Sequence, residues 1–188
     1  KLSMQSLPMI ERFKEELGQD VSYRKCGYLL VATNEQEVQE FKHNVAMQNR
    51  LGVQTEFLSG DEVRRRLPLM RFDDAMAGTF NQKDGTVDPN SVVMGYVNAA
   101  QKMGVTALTG VEVIGVTVSG GEVRSVKTNL GEVEARTVLN AAGPWSGLIG
   151  AMAGVHIPVI PLRRQMFTTN PLKEVPEDFP FVIDFSKS

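Results

Sequence analysis

Thr137-Val138-Leu139-Asn140-Ala141-Ala142-Gly143-Pro144-Trp145-Ser146 is the stretch on which the reading of this chain turns. Val138 and Leu139 read as the end of a short apolar strand, the side chains then shrink to Ala-Ala-Gly, and Pro144 sits where a helix would begin. A backbone with so little side chain lets another molecule approach closely. In an open α/β sheet, ligands lie beyond the carboxyl ends of the strands, where a following helix aims free N–H groups and the positive end of its dipole. The stretch therefore reads as one wall of a cofactor site. The competing reading is a tight strand-to-helix turn with Gly143 placed for its backbone angles.

Upstream lies a meander: Val111 to Val118, a Gly120-Gly121 turn, Val123 to Thr128, an Asn129-Leu130-Gly131 turn, and Val133 to Ala135. Before it, Asp88 as N-cap and Pro89 at the first helical position launch a helix that sends Val92, Val93, Tyr96, Ala99 and Ala100 toward a core and stops at Gly104. Val105 to Thr109 then reads as a strand, so helix followed by strand resembles part of a parallel α/β layer. Downstream, Ile157 to Thr169 leaves through Pro158 and Pro161 as an extended segment.

The first third of the chain has a different texture. Leu7, Ile10, Phe13 and Leu17 predict a helix closed by Gly18, and the β-formers of Tyr23 to Thr33 predict strand, turn or bulge at Gly27, and strand. Asn34 with Glu37 opens a helix with the apolar stripe Val38, Phe41, Val45 and Leu51, and His43 falls off that stripe. A strand at Thr55 to Leu58 is followed by a capping box, Ser59 with Glu62, whose helix ends by Leu67 because Pro68 follows. Arg64, Arg65 and Arg66 read as a solvated face. Ala75 to Asn81 reads as a strand, with a turn at Asp84-Gly85. The chain begins inside a helix and ends at Ile183-Asp184-Phe185 in an alternating strand, so it reads as a piece of a longer polypeptide. Such a piece is expected to self-associate through open strand edges and apolar faces, which light scattering would detect.

Composition narrows the partners. The 188 residues are 42% hydrophobic with a net charge of −2, and no basic cluster exceeds Arg64 to Arg66, so neither nucleic acid nor an anionic membrane is expected. Cys26 is the only cysteine and His43 and His156 the only histidines, which argues against a disulfide framework or a metal site and fits a reducing, cytoplasmic setting. No run approaches the roughly 20 apolar residues of a membrane span, and no signal-peptide pattern opens the sequence.

Taken together, Gly27-Tyr28-Leu29, Asp84-Gly85-Thr86-Val87-Asp88-Pro89, the meander, Leu139 through Ser146 and Pro158 through Gln165 resemble, in that order, the middle of the D-amino-acid oxidase superfamily of flavoproteins. The nearest branch is that of sarcosine oxidase, dimethylglycine dehydrogenase and glycine oxidase. The resemblance implies a mixed α/β architecture in which part of an FAD-binding α/β domain with a β-meander is interleaved with part of an α+β, antiparallel-sheet substrate domain. It assigns residues 1–83 and 157–188 to the substrate domain and 84–156 to the FAD domain. It implies that the Val111 backbone meets the adenine, that Ala142 and Gly143 approach the dinucleotide, and that Trp145 stands behind them. Arg163, Arg164 and Gln165 would shape a flavin-side pocket, with a solvent-facing strand edge as the rival reading.

The implied chemistry is FAD-dependent oxidation of the C–N bond of a small amine or amino acid, with sarcosine, dimethylglycine, glycine or proline as the type. No residue is nominated as catalytic. The Gly-x-Gly-x-x-Gly turn that carries the pyrophosphate in the family is absent, so the isolated chain is expected to hold no FAD and to be inactive. Asp88-Pro89-Asn90-Ser91 lacks the histidine that links flavin in heterotetrameric sarcosine oxidases, and Cys26 lies in the wrong segment to be the flavin-linking cysteine, so a buried structural thiol is expected. A hydroxy-acid or glycerol-phosphate dehydrogenase on the same scaffold, and a flavin-free interaction subunit, are the alternatives.

Overall fold

The capping pairs read from the sequence start their helices in the computed structural model, which describes residues 2–184. The side-chain oxygen of Asn34 accepts from the Glu37 amide at 3.0 Å and opens α3 (Glu35–Arg50), while the Glu37 carboxylate accepts from the Thr33 amide at 2.8 Å. Ser59 and Glu62 cap each other reciprocally at the start of α4 (Gly60–Arg66), and Asp88 caps α5 (Pro89–Lys102). Hydrogen bonds from Ser59 lower the Glu62 pKa, and the Ser91 hydroxyl does the same first for Asp88. The first helix differs from expectation. It is broken at Arg12 into α1 (Leu2–Glu11), which contains Pro8, and α2 (Phe13–Leu17), with Phe13 buried and Gly18 as the stop.

The chain divides into two compact units, one of Lys1–Val105 with Asn170–Ser188 and one of Thr106–Thr169. In the first, β1 (Tyr28–Ala32), β2 (Glu56–Ser59), β3 (Ala77–Asn81) and β7 (Phe181–Asp184) form a sheet in the order β2-β3-β1-β7. The first three strands are antiparallel, and β7 joins the edge parallel to β1, with Tyr28 opposite Phe181. Phe185, expected to continue that strand, lies outside the described residues. Only the half of the Tyr23–Thr33 segment after Gly27 is a strand; before it, Arg24 makes a single bridge to Thr86.

Strand alternation sorts the core between the two faces. Leu29 and Val31 pack with Leu58, Val63, Leu67 and Phe80 beneath α4, whereas Ala32 and Ala77 meet Val38 and Phe41 of α3. Each fully buried side chain of this size stabilises the fold by about 1.5–3 kcal/mol. Arg64 and Arg66 are fastened to this unit and are not merely solvated. The Arg64 guanidinium donates to the carbonyls of Phe72 and Ala75 at 3.1 and 3.0 Å and pairs with Asp61. Arg66 pairs with Glu56 at 2.9 Å and lies 3.8 Å over the Phe80 ring.

The crossing from β3 to α5 is sewn to the chain before β1. Arg24 and Thr86 exchange both backbone hydrogen bonds, Gly27 donates to the Asp84 carbonyl at 2.8 Å, and the Tyr23 hydroxyl donates to the Lys83 carbonyl at 3.0 Å. The Asp84 carboxyl is half-buried here, and burial raises its pKa above the ordinary 3.8. A raised carboxyl pKa means that the folded state holds the proton more tightly, so stability falls as pH climbs from 3.8 through the folded value and stays lower above it. Asp84→Asn should therefore raise the melting temperature at pH 7 and leave it unchanged below pH 3.8, as read by thermal unfolding across pH. A variant less stable than wild type at pH 7 would show that the carboxylate has a partner.

In the second unit, β4 (Val113–Ser119), β5 (Glu122–Thr128) and β6 (Gly131–Glu134) form the expected meander. The Gly120-Gly121 turn has φ of 62° and 78°, the backbone that two-residue hairpins require. The Glu132 carboxylate accepts from the Ser125 hydroxyl and, at 3.3 Å, from the Thr117 hydroxyl, and the Ser125 bond first among these lowers its pKa. α6 (Ser146–Met152) packs against β4, and Ile157 closes over Gly150.

Two expected strands fail to form for one reason. Residues 105–109 and 137–139 carry no strand, and Leu139 is 90% exposed. An extended segment becomes a strand only when a neighbour supplies ladder hydrogen bonds, and none does so among the described residues. Val93 and Tyr96 of α5, expected in a core, are exposed, although Tyr96 still meets the Phe13 ring edge-on at 5.0 Å. The boundaries of the compact units fall at residues 105/106 and 169/170, with α5 packed against α2 in the first unit.

Candidate functional site

The cofactor residues implied by the resemblance, Val111, Ala142, Gly143 and Trp145, all lie in the second unit. Val111 is half-buried just before β4. Its neighbours are hydrogen-bonded: the Gly110 carbonyl accepts from Asn129, and the Glu112 amide and carbonyl are both joined to Asn129. The amide and carbonyl of Val111 have no protein partner among the described residues. One donor and one acceptor, side by side on an apolar residue, match the hydrogen-bonding edge of a purine.

The 140–146 loop is shaped from within. The Asn140 oxygen accepts from the Ala142 amide at 3.2 Å, its nitrogen donates to the Ser146 carbonyl at 2.9 Å, and the Trp145 amide donates to the Ala142 carbonyl at 3.0 Å. Gly143 opens a short 3₁₀ turn, Gly143–Trp145, with φ of 52°, and beyond its two chain neighbours no atom of the described residues lies within 4 Å of where its Cβ would be. The backbone is therefore open on the side that a side chain would fill. The helix that follows is only seven residues long, so its dipole adds little and the exposed backbone is the asset. Trp145 is 65% exposed and offers a bare indole face. These features fit a dinucleotide.

Arg163, Arg164 and Gln165 are exposed on a strandless stretch, so a strand edge is not what holds them. His43 and His156 are exposed, and the Cys26 thiol is buried. Among the described residues no group of His, Cys, Asp and Glu could hold a metal ion, and no helix is long and apolar enough to cross a membrane. The larger cleft, about 650 Å³, runs along β5 and β6 past Arg124, Ser125, Glu132 and Arg136 and includes none of the expected cofactor residues. A smaller one of about 290 Å³ lies in the first unit beside Cys26, Arg66, Phe80, Gln82 and Asp178.

The family model described as FAD dependent oxidoreductase (DAO) matches residues 1–187. The chain belongs to this family. Within it, the DAO chain is 31% identical over 175 residues to mitochondrial dimethylglycine dehydrogenase of Rattus norvegicus, covering 93% of this chain and 20% of that protein. It is 26% identical to sarcosine oxidase subunit beta of Rhodobacter capsulatus, covering 88% of this chain and 41% of that one. Among solved structures, L-proline dehydrogenase from P. horikoshii superposes with a TM-score of 0.78 at 29% identity, over 97% of this chain and 49% of that chain. The DAO chain thus spans a fifth to a half of the length of these relatives. What the sequence reading of this family chain missed was Asn129, whose side-chain partners are 17 and 19 residues away.

Proposed function

We propose that this chain is the central part of an FAD-dependent oxidoreductase that oxidises the C–N bond of a small secondary or tertiary amine or amino acid. The carrying observation is the family match along residues 1–187. Relatives named for dimethylglycine, sarcosine and proline, which are all N-substituted amino acids, point to the substrate class.

The flavin would accept hydride from the carbon next to the amine nitrogen. The chain's own contribution is positioning: the Val111 amide and carbonyl would receive the adenine, the Ala142–Gly143 backbone would lie along the dinucleotide, and Trp145 would flank it. Arg163, Arg164 and Gln165 are the proposed flavin-side contacts. In the proposed organisation 84–156 belong to the FAD-binding part and 1–83 and 157–188 to the substrate part. Exposed Ile160, Leu162, Met166 and Phe167 support self-association of the isolated chain. The single, buried, unpaired Cys26 supports a reducing compartment such as the cytoplasm.

The test uses the full-length protein. It should be yellow, and its flavin band should bleach when sarcosine, dimethylglycine or proline is added without oxygen. A colourless protein, or bleaching only by lactate or glycerol 3-phosphate, would contradict the proposal.

A further inference from the structure

The two backbone segments assigned to the cofactor are each fastened by one asparagine. The Asn129 side chain accepts from the Glu112 amide at 2.9 Å and donates to the Gly110 carbonyl at 3.3 Å, and its own amide donates to the Glu112 carbonyl at 3.0 Å. The first pair of the β4–β5 ladder is Val113 with Thr128, and one further backbone bond, from the Asn129 amide to the Glu112 carbonyl, reaches this segment. Without the side-chain clamp, the Gly110 carbonyl and the Glu112 amide would lose their partners. Asn140 acts likewise across the second segment, between the Ala142 amide and the Ser146 carbonyl.

We propose that Asn129 and Asn140 are positioning residues for FAD, each fixing a stretch of backbone that meets the dinucleotide while touching none of it themselves. The inference rests on the reading of the chain as part of an FAD enzyme. The residue type follows from the task. A carboxamide carries a donor and an acceptor in one plane, so a single side chain can satisfy a carbonyl on one side of Val111 and an amide on the other. Aspartate could only accept, and a hydroxyl is too short to span both. Fixing the neighbours leaves the two polar groups of Val111 directed outward and ordered before the ligand arrives, which lowers the entropy lost on binding. Asn140 holds the 140–146 loop at both ends and so keeps Gly143 in its left-handed conformation.

The test uses full-length apoprotein from riboflavin-depleted cells, with FAD and FMN binding read by quenching of flavin fluorescence. Asn129→Ala should weaken FAD about tenfold, as expected for losing two such hydrogen bonds. FMN has no adenylate half, so its affinity should hold and the preference for FAD over FMN should fall. Asn129→Asp, which keeps the acceptor but turns an oxygen toward the Gly110 carbonyl, should likewise weaken FAD and spare FMN, and carries the same test if the alanine variant does not fold. Asn140→Ala should weaken FAD by a similar factor. Equal weakening of FAD and FMN by Asn129→Ala, or unchanged FAD affinity in the variants, would overturn the proposal while the wild type still binds FAD. A wild-type apoprotein that takes up no FAD would overturn the reading beneath it.

Discussion

Alanine in place of Gly85 is expected to lower the melting temperature by roughly 10 °C, the consequence of losing about 3 kcal/mol in a protein of this size. The Cβ would stand 2.1 Å from the carbonyl oxygen of Arg24 and 2.9 Å from its carbonyl carbon and from the Tyr23 ring. The obstacle is backbone, so no rotamer change relieves it, and the chain must move away from Arg24. That movement takes with it the paired Arg24–Thr86 hydrogen bonds of 2.9 and 3.0 Å and strains the Gly27-to-Asp84 bond beside them. Each is worth about 1 kcal/mol net. The bridge also fixes where α5 starts, since the Asp88 amide donates to the Val21 carbonyl at 2.9 Å. Thermal unfolding of the variant beside wild type checks the expectation, and a shift of only a degree or two would show that the crossing is slack.

The second large effect is on the ligand and leaves the fold alone. Gly143→Asn should reduce FAD affinity of the full-length protein about a hundredfold, near 2.7 kcal/mol, with little change in melting temperature. Gly143 has φ of 52°, a conformation that asparagine tolerates better than any other residue with a side chain. Beyond the two chain neighbours, no atom of the described residues lies within 4 Å of the new Cβ, so the substitution adds bulk where the dinucleotide is expected to lie. Binding titration together with thermal unfolding separates the two effects. Full FAD affinity would place the cofactor elsewhere, and a large loss of stability would make Gly143 a folding residue.

What the sequence made legible was local. Asn34 and Glu37, Ser59 and Glu62, and Asp88 with Pro89 start their helices because each cap is satisfied within three or four residues, and the Gly120-Gly121 turn sets a hairpin by its own backbone angles. Strands at Val105 to Thr109 and Thr137 to Leu139 were misread because strand formation depends on a partner and not on the residues alone. The apolar stripe of α5 was legible as a pattern, but a pattern does not say whether anything covers it, and Val93 and Tyr96 are exposed.

The site was legible in the same uneven way. Small side chains at 141–143 marked this backbone as open to a ligand, and the space where a Gly143 side chain would stand is empty apart from its chain neighbours. Asn129, whose side chain ties Gly110 and Glu112 on either side of Val111, acts through contacts 17 and 19 residues distant and left no mark on the local pattern, where it read only as a turn residue. Arg64 and Arg66, read as a solvated face, bind carbonyls, carboxylates and an aromatic ring that folding alone brings near.

The most direct measurement is photolabelling of the full-length apoprotein with an FAD analogue carrying an azido group on the adenine, followed by peptide mapping. The label should be recovered on the peptide containing Gly110, Val111 and Glu112, and excess FAD should suppress it. Recovery of the FAD-suppressible label on a peptide of the first unit, or outside this chain altogether, would contradict it.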